Sequence, residues 1–158
     1  MKKIKFALLI ATIFASAAFS SVSANTTSPV AATAQSQVGH KINSYKYIYI
    51  ENQGNQYGLE ERYHNFFVEI GFTVLTDDEA EKLSDKEREK MLVLNYTCTV
   101  VAGAASSQTL TLRNVANKIV YSRSESAYTL TANSDMRRAA KKIMYAIRAL
   151  GYKYEGEE

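Results

Sequence analysis

Two apolar stripes of helical period bracket a long run of strand-like alternation, and that arrangement limits the folds open to this chain. Leu59, Tyr63, Phe66, Phe67 and Ile70 recur at 0, +4, +7, +8 and +11, which sets all five on one side of an α-helix. Further on, Met136, Ala140, Ile143, Ile147 and Leu150 form a second stripe, assisted by Ala139 and Met144. A helix with one apolar stripe has to bury it against another layer. The β-branched and aromatic runs around the stripes supply that layer. Residues 45–50 read as a first strand, with Ile48 and Ile50 on one face and Tyr45, Tyr47 and Tyr49 on the other. Both faces can be partly covered, which points to a central strand.

Gly71 is placed to stop the first helix in the left-handed conformation, and residues 72–76 follow as a short strand. Asp77 and Asp78 can cap a short helix reaching Leu83, and Ser84 can cap a further turn. Between Asp77 and Lys90 lie seven acids and four bases, the pattern of a solvated helical face. Residues 91–101, 109–113 and 118–126 read as three antiparallel strands joined by hairpins. Because residues 122–126 are polar at every position, the last of these is an edge or solvent-facing strand. Asn133 or Ser134 can cap the last helix, and Gly151 stops it. The expected fold is α+β: a mostly antiparallel sheet of about five strands, with two principal helices on one face in a two-layer sandwich. The expected domain spans 44–153, after a disordered linker over 25–43 and before a tail at 154–158 that should fray.

The first 24 residues stand outside this plan. Lys2, Lys3 and Lys5 make a basic start, residues 6–19 are apolar except for Thr12 and Ser16, and Val22-Ser23-Ala24 offers a small-residue cleavage site. This is the pattern of a secretory signal peptide, and it implies a periplasmic or secreted protein. The apolar run falls short of the roughly 20 residues a membrane span needs. No cysteine follows it to carry a lipid, so no stable membrane anchor is expected after cleavage. The whole chain has 19 Lys+Arg against 16 Asp+Glu. Three of those lysines lie in the leader, so the processed chain is formally neutral, and nucleic-acid binding through bulk positive charge is not expected.

Chemistry-bearing motifs are sparse. Cys98 is the single cysteine, so no intramolecular disulfide forms, and its strand-like surroundings suit a small buried side chain. The paired carboxylates Glu60-Glu61 and Asp77-Asp78-Glu79 fall at helix starts, where the helix dipole favours acids. His40 and His64 are the two histidines and lack ligand partners at metal spacing. There is no nucleophile elbow, phosphate-binding glycine loop or zinc pattern. No catalytic residue, cofactor or metal is therefore expected. Two surfaces remain as candidates for partner contact: the tyrosine face of the first strand (Tyr45, Tyr47, Tyr49) and the basic face of the last helix (Arg137, Arg138, Lys141, Lys142, Arg148). Tyrosine suits contact surfaces and half-buried sheets alike, while clustered cations suit an acidic partner, lipid or glycan.

The element order carries a resemblance. The first helix leads into Gly71-Phe72-Thr73-Val74. A later hairpin reads Leu110-Thr111-Leu112-Arg113-Asn114-Val115-Ala116-Asn117-Lys118-Ile119-Val120-Tyr121, before the closing amphipathic helix. This resembles small bacterial envelope domains of the type found in the TolB amino-terminal domain, the curli-secretion lipoproteins and the activators of penicillin-binding proteins. In those, a Gly-aromatic-x-Val strand precedes a hairpin of the form L-x-L-x-D-x-x-T-G-K. Here Asn117 stands where a turn glycine is usual, and the lipid-bearing cysteine of many relatives is missing. The resemblance implies an α+β sandwich that works by protein contact in the cell envelope. The expected function is thus an exported, non-enzymatic binding or assembly module with an envelope protein as partner. A small secreted enzyme or ligand carrier is the alternative, and it would need a closed, partly apolar pocket near the Gly54 loop. An oligomer built on an exposed strand edge is a third reading.

Overall fold

The computed structural model describes residues 41–156. The leader, His40 and the linker up to that histidine lie outside the described residues. After a helical stretch at 41–43, five strands and four helices follow in the order β1 (Tyr47–Ile50), α1 (Leu59–Glu69), β2 (Thr73–Leu75), α2 (Asp77–Lys82), α3 (Asp85–Arg88), β3 (Met91–Thr99), β4 (Ser106–Asn114), β5 (Ile119–Ala127) and α4 (Ala132–Arg148), with a 3-10 turn at Gln56–Gly58 ahead of α1. One sheet holds all five strands in the order β2-β1-β3-β4-β5. The expected α+β architecture is the observed one. No helix among the described residues is long and apolar enough to cross a membrane.

The sheet has two characters. β1 pairs in parallel with both β2 and β3, because helical connections return the chain to the start of the next strand. β3, β4 and β5 form an antiparallel meander of long strands. By residue pairs the antiparallel part dominates, sixteen against seven.

A single core lies between the sheet and the α1–α4 layer. Tyr63, Phe66 and Phe67 of α1 and Met136, Ala140, Ile143 and Ile147 of α4 meet Ile48, Leu92, Leu94, Tyr96, Leu110 and Leu112 of the sheet. Strand alternation explains the choice on β4, where Leu110 and Leu112 are fully buried while Thr109 and Thr111 face away. Burying a leucine-sized side chain is worth about 1.5–3 kcal/mol, so this row is the main source of cohesion. Phe67 adds edge-to-face contacts with Phe66 and Phe72 at ring separations of 5.1 and 5.6 Å.

Several boundaries differ from the sequence reading, each for a local reason. Residues 41–43 are helical and Ile42 is buried in the core, so ordered structure starts inside the stretch expected to be linker. The tail is also tied down. Tyr152 stacks on Phe72 at 3.6 Å and its hydroxyl donates to the Tyr45 carbonyl at 2.8 Å. The Glu155 N–H donates to the Asn43 carbonyl at 3.0 Å, and Asn43 Nδ2 donates to Glu155 Oε1 at 3.0 Å. This clasp joins both ends of the described chain, and the tail does not fray up to Glu155. Thr131, rather than Asn133 or Ser134, caps α4 by accepting the Ser134 N–H at 3.2 Å. α2 is capped by Thr76, whose N–H and Oγ1 both donate to Glu79 Oε2 at 2.9 Å, so Asp77 and Asp78 are its first residues. Ser84 caps α3 as expected. In the β4–β5 hairpin Asn117 takes the turn glycine's place with φ 59°, a conformation that asparagine accepts more readily than other side chains.

Candidate functional site

Helical periodicity builds the most distinctive surface. On α1, Arg62, Asn65, Phe66 and Glu69 stand at i, i+3, i+4 and i+7, one stripe beside the buried one. On α4, Ser134, Arg137, Arg138, Lys141, Met144, Tyr145 and Arg148 form the matching stripe. The two helices lie side by side over the sheet, and these stripes wall a groove of about 900 Å³ between them. Its rim carries five cations, Arg62, Arg137, Arg138, Lys141 and Arg148, against one carboxylate, Glu69. Glu69 is paired with Arg148 at 2.8 Å, and both side chains are largely exposed, so the bridge contributes little to stability. Among the described residues the other four cations have no acid opposite them in the groove.

The floor is apolar. Phe66 is buried at its base, and the Arg148 guanidinium lies 5.6 Å from the Phe66 ring centre. Met144 is half-buried and Tyr145 is 57% exposed, with Lys141 Nζ 5.5 Å above its ring. Cation–π contact holds both cations over apolar surface without neutralising them. The groove therefore offers a row of positive charge above a small aromatic and thioether floor.

The structure brings four of the five α4 cations flagged by sequence into this groove. Lys142 is the exception: it points toward the sheet edge and donates to the Ser126 carbonyl at 2.7 Å. Arg62 is the groove cation that the sequence reading missed. Its position four residues before Phe66 was visible, but the meeting of the α1 and α4 stripes depends on how the helices pack.

The tyrosine face is divided. Tyr45 precedes β1 and packs against the core, with its carbonyl held by Tyr152, so it does not share a face with the other two. Tyr47 and Tyr49 are half-buried. The Tyr49 hydroxyl hydrogen-bonds Asp77, which with burial and the carboxylates of Glu51 and Glu81 raises its pKa. Beyond β1 this sheet face is lined by hydroxyls, with Thr109 Oγ1 donating to Ser124 Oγ at 3.0 Å and Thr111 and Ser122 paired at 3.3 Å.

A second concavity of about 600 Å³ lies beside the Gly54 loop, at the carboxyl ends of β1 and β2. It is open, and half of its polar lining residues are acids, Glu60, Glu61, Asp77 and Asp78, beside His64, Asn52, Asn55 and Thr76. Glu60 is engaged in holding the loop, accepting the N–H groups of Gln53 at 2.7 Å and Asn55 at 2.9 Å. That loop is strained, since Asn55 and Tyr57 both adopt positive φ, 45° and 67°. No group of three or more His, Cys, Asp or Glu side chains is disposed to hold a metal ion among the described residues. Cys98 is a free thiol whose pKa burial raises, the opposite of an activated nucleophile.

Buried polar groups also lie on the core side of the sheet. Asp135, in the first turn of α4, accepts the Ser106 hydroxyl at 3.0 Å, and hydrogen bonds from Thr129 and Ser106 lower its pKa. The Tyr63 hydroxyl and both side-chain polar atoms of Gln108 are buried without a hydrogen-bond partner among the described residues. Burial pushes the Tyr63 pKa far up.

No protein-family model matches the chain, and no curated protein matches it. Among solved structures it is similar to a minor lipoprotein from Acinetobacter baumannii, at 13% identity and a TM-score of 0.33, over 68% of this chain and 87% of that one.

Proposed function

We propose that this protein is a non-enzymatic binding module of the bacterial cell envelope, and that the α1–α4 groove receives an acidic segment of a partner protein. The observation that carries the reading is the row of five cations facing one carboxylate above the Phe66–Met144 floor. The export-type leader supports the envelope as the setting. A recessed groove between two helices suits an inserted chain segment, as in helix-in-groove recognition, better than a flat bilayer surface. Acidic side chains of the segment would meet Arg62, Arg137, Arg138 and Lys141, and an apolar residue would rest on Phe66 and Met144.

The test is affinity capture from bacterial envelope extract with the wild-type chain and with Arg137→Glu/Arg138→Glu/Lys141→Glu, alongside a hydrolase panel. The reading expects a specific protein that is retained by the wild type, eluted by salt and lost with the triple variant. Retention unaffected by the charge reversal, or turnover of a substrate by the purified chain, would contradict it.

A further inference from the structure

The two edges of the sheet are built differently. β2 is three residues long and is followed after one residue by α2. Among the described residues β5, nine residues long, pairs with β4 alone, and it exposes Ser122, Arg123, Ser124 and Ser126. A long open edge is a template for a further strand, and proteins usually guard such edges with charge. Here the charges are Arg123 and Glu125, ion-paired along the strand. They sit symmetrically about Ser124 in the run Ser122-Arg123-Ser124-Glu125-Ser126.

We infer that β5 pairs antiparallel with β5 of a second copy, about a two-fold axis through Ser124, to make one continuous sheet. In that register residues equidistant from Ser124 face each other. Arg123 lies opposite the partner's Glu125, Glu125 opposite the partner's Arg123, and Ser122 opposite the partner's Ser126. Moving the axis to Arg123 or Glu125 would set like charges face to face, which is destabilising. A parallel in-register pairing would do the same. The charges that repel a generic strand therefore match a second copy in one register, which is how specificity is obtained from repulsive elements. The flanks agree with it. Ile119, Tyr128 and Leu130 are 52%, 66% and 100% exposed. The axis brings Ile119 of each copy toward the partner's Tyr128 and Leu130, closing an apolar cluster at each end. Such an interface is isologous, the usual form of a two-fold dimer. Lys142, which holds the Ser126 carbonyl, is a long exposed side chain that can turn aside.

The test is sedimentation or light scattering of the purified chain over a wide concentration range, with two charge variants. The expected mass rises from monomer to dimer. Arg123→Glu should weaken the dimer about tenfold or more by facing acids across the axis, and Arg123→Glu/Glu125→Arg, which restores the symmetry, should regain wild-type association. In a Cys98→Ala background, Ser124→Cys should form a disulfide-linked dimer, because paired Cα atoms lie about 4.5–5.5 Å apart across an antiparallel ladder. Thermal melts confirm that each variant is folded. A monomer at every concentration, a dimer indifferent to Arg123→Glu, or one not recovered by the charge swap overturns the inference.

Discussion

The two outer surfaces of this sandwich are made by the same local rule and end with opposite chemistry. On the helix layer, 3.6-residue periodicity leaves a stripe of α1 and a stripe of α4 uncovered, and both place cations toward one groove. On the open sheet face, two-residue alternation leaves Thr109, Thr111, Ser122 and Ser124, which satisfy one another across β4 and β5. A surface whose polar groups are already paired has little to offer a partner. One that crowds like charges is held at a cost, which an oppositely charged partner relieves. This difference is the reason the proposed partner contact is assigned to the groove and not to the open sheet face.

The largest expected contrast lies between the two faces of a single strand. Leu110→Ala removes a fully buried side chain and should cost about 2–5 kcal/mol, whereas Thr109→Ala on the open face removes one cross-strand hydroxyl pair and should cost about 0.2–1 kcal/mol. Urea denaturation of both variants measures this, and equal losses would mean the open face is packed. Next in size is Arg137→Glu/Arg138→Glu/Lys141→Glu, which should abolish capture of an acidic partner while leaving the melting temperature nearly unchanged, since these side chains are exposed or solvated. A variant that unfolds would show that the stripe is structural.

A third prediction concerns the covered face itself. Gln108 is fully buried with no partner for its amide among the described residues, so Gln108→Met should stabilise the protein by about 1–3 kcal/mol, the desolvation cost of an unmet polar group. A loss of stability would reveal a polar partner at that position.

The smallest effect is in the acid limb. Glu79 and Glu87 are held below the usual glutamate range by hydrogen bonds from Thr76 and Ser84. Their folded pKa values lie below the unfolded ones, so their contribution is complete above about pH 4.5 and is lost as pH falls through the folded values. Melting temperatures between pH 7 and 3 should decline less steeply in Glu79→Gln/Glu87→Gln than in the wild type.

The same contrast explains what the sequence could disclose. Contacts within one element were legible. The α1 stripe, the α4 stripe, the β3–β4–β5 meander and the Ser84 cap all follow from spacing and propensity. Contacts between distant elements were not. Ile42 reads as part of a polar linker until Tyr152 and Glu155 fold back beside it. Tyr45, Tyr47 and Tyr49 alternate like one face, yet the strand starts at Tyr47 and Tyr45 turns toward the core. Thr131, two residues before Asn133, is the α4 cap because its side chain accepts the Ser134 N–H, and the helix starts at Ala132. The groove was half legible: its α4 cations were visible as a basic helix face, but Arg62 joins them only once the two helices pack together.

The most direct test of the groove as the binding surface is amide and methyl NMR mapping during titration with polyglutamate, used as a plain acidic chain. The account predicts that shifts cluster on Arg62, Phe66, Arg137, Arg138, Lys141 and Met144 and collapse with added salt. Shifts gathered instead on Thr109, Thr111, Ser122 and Ser124 of the open sheet face would contradict it.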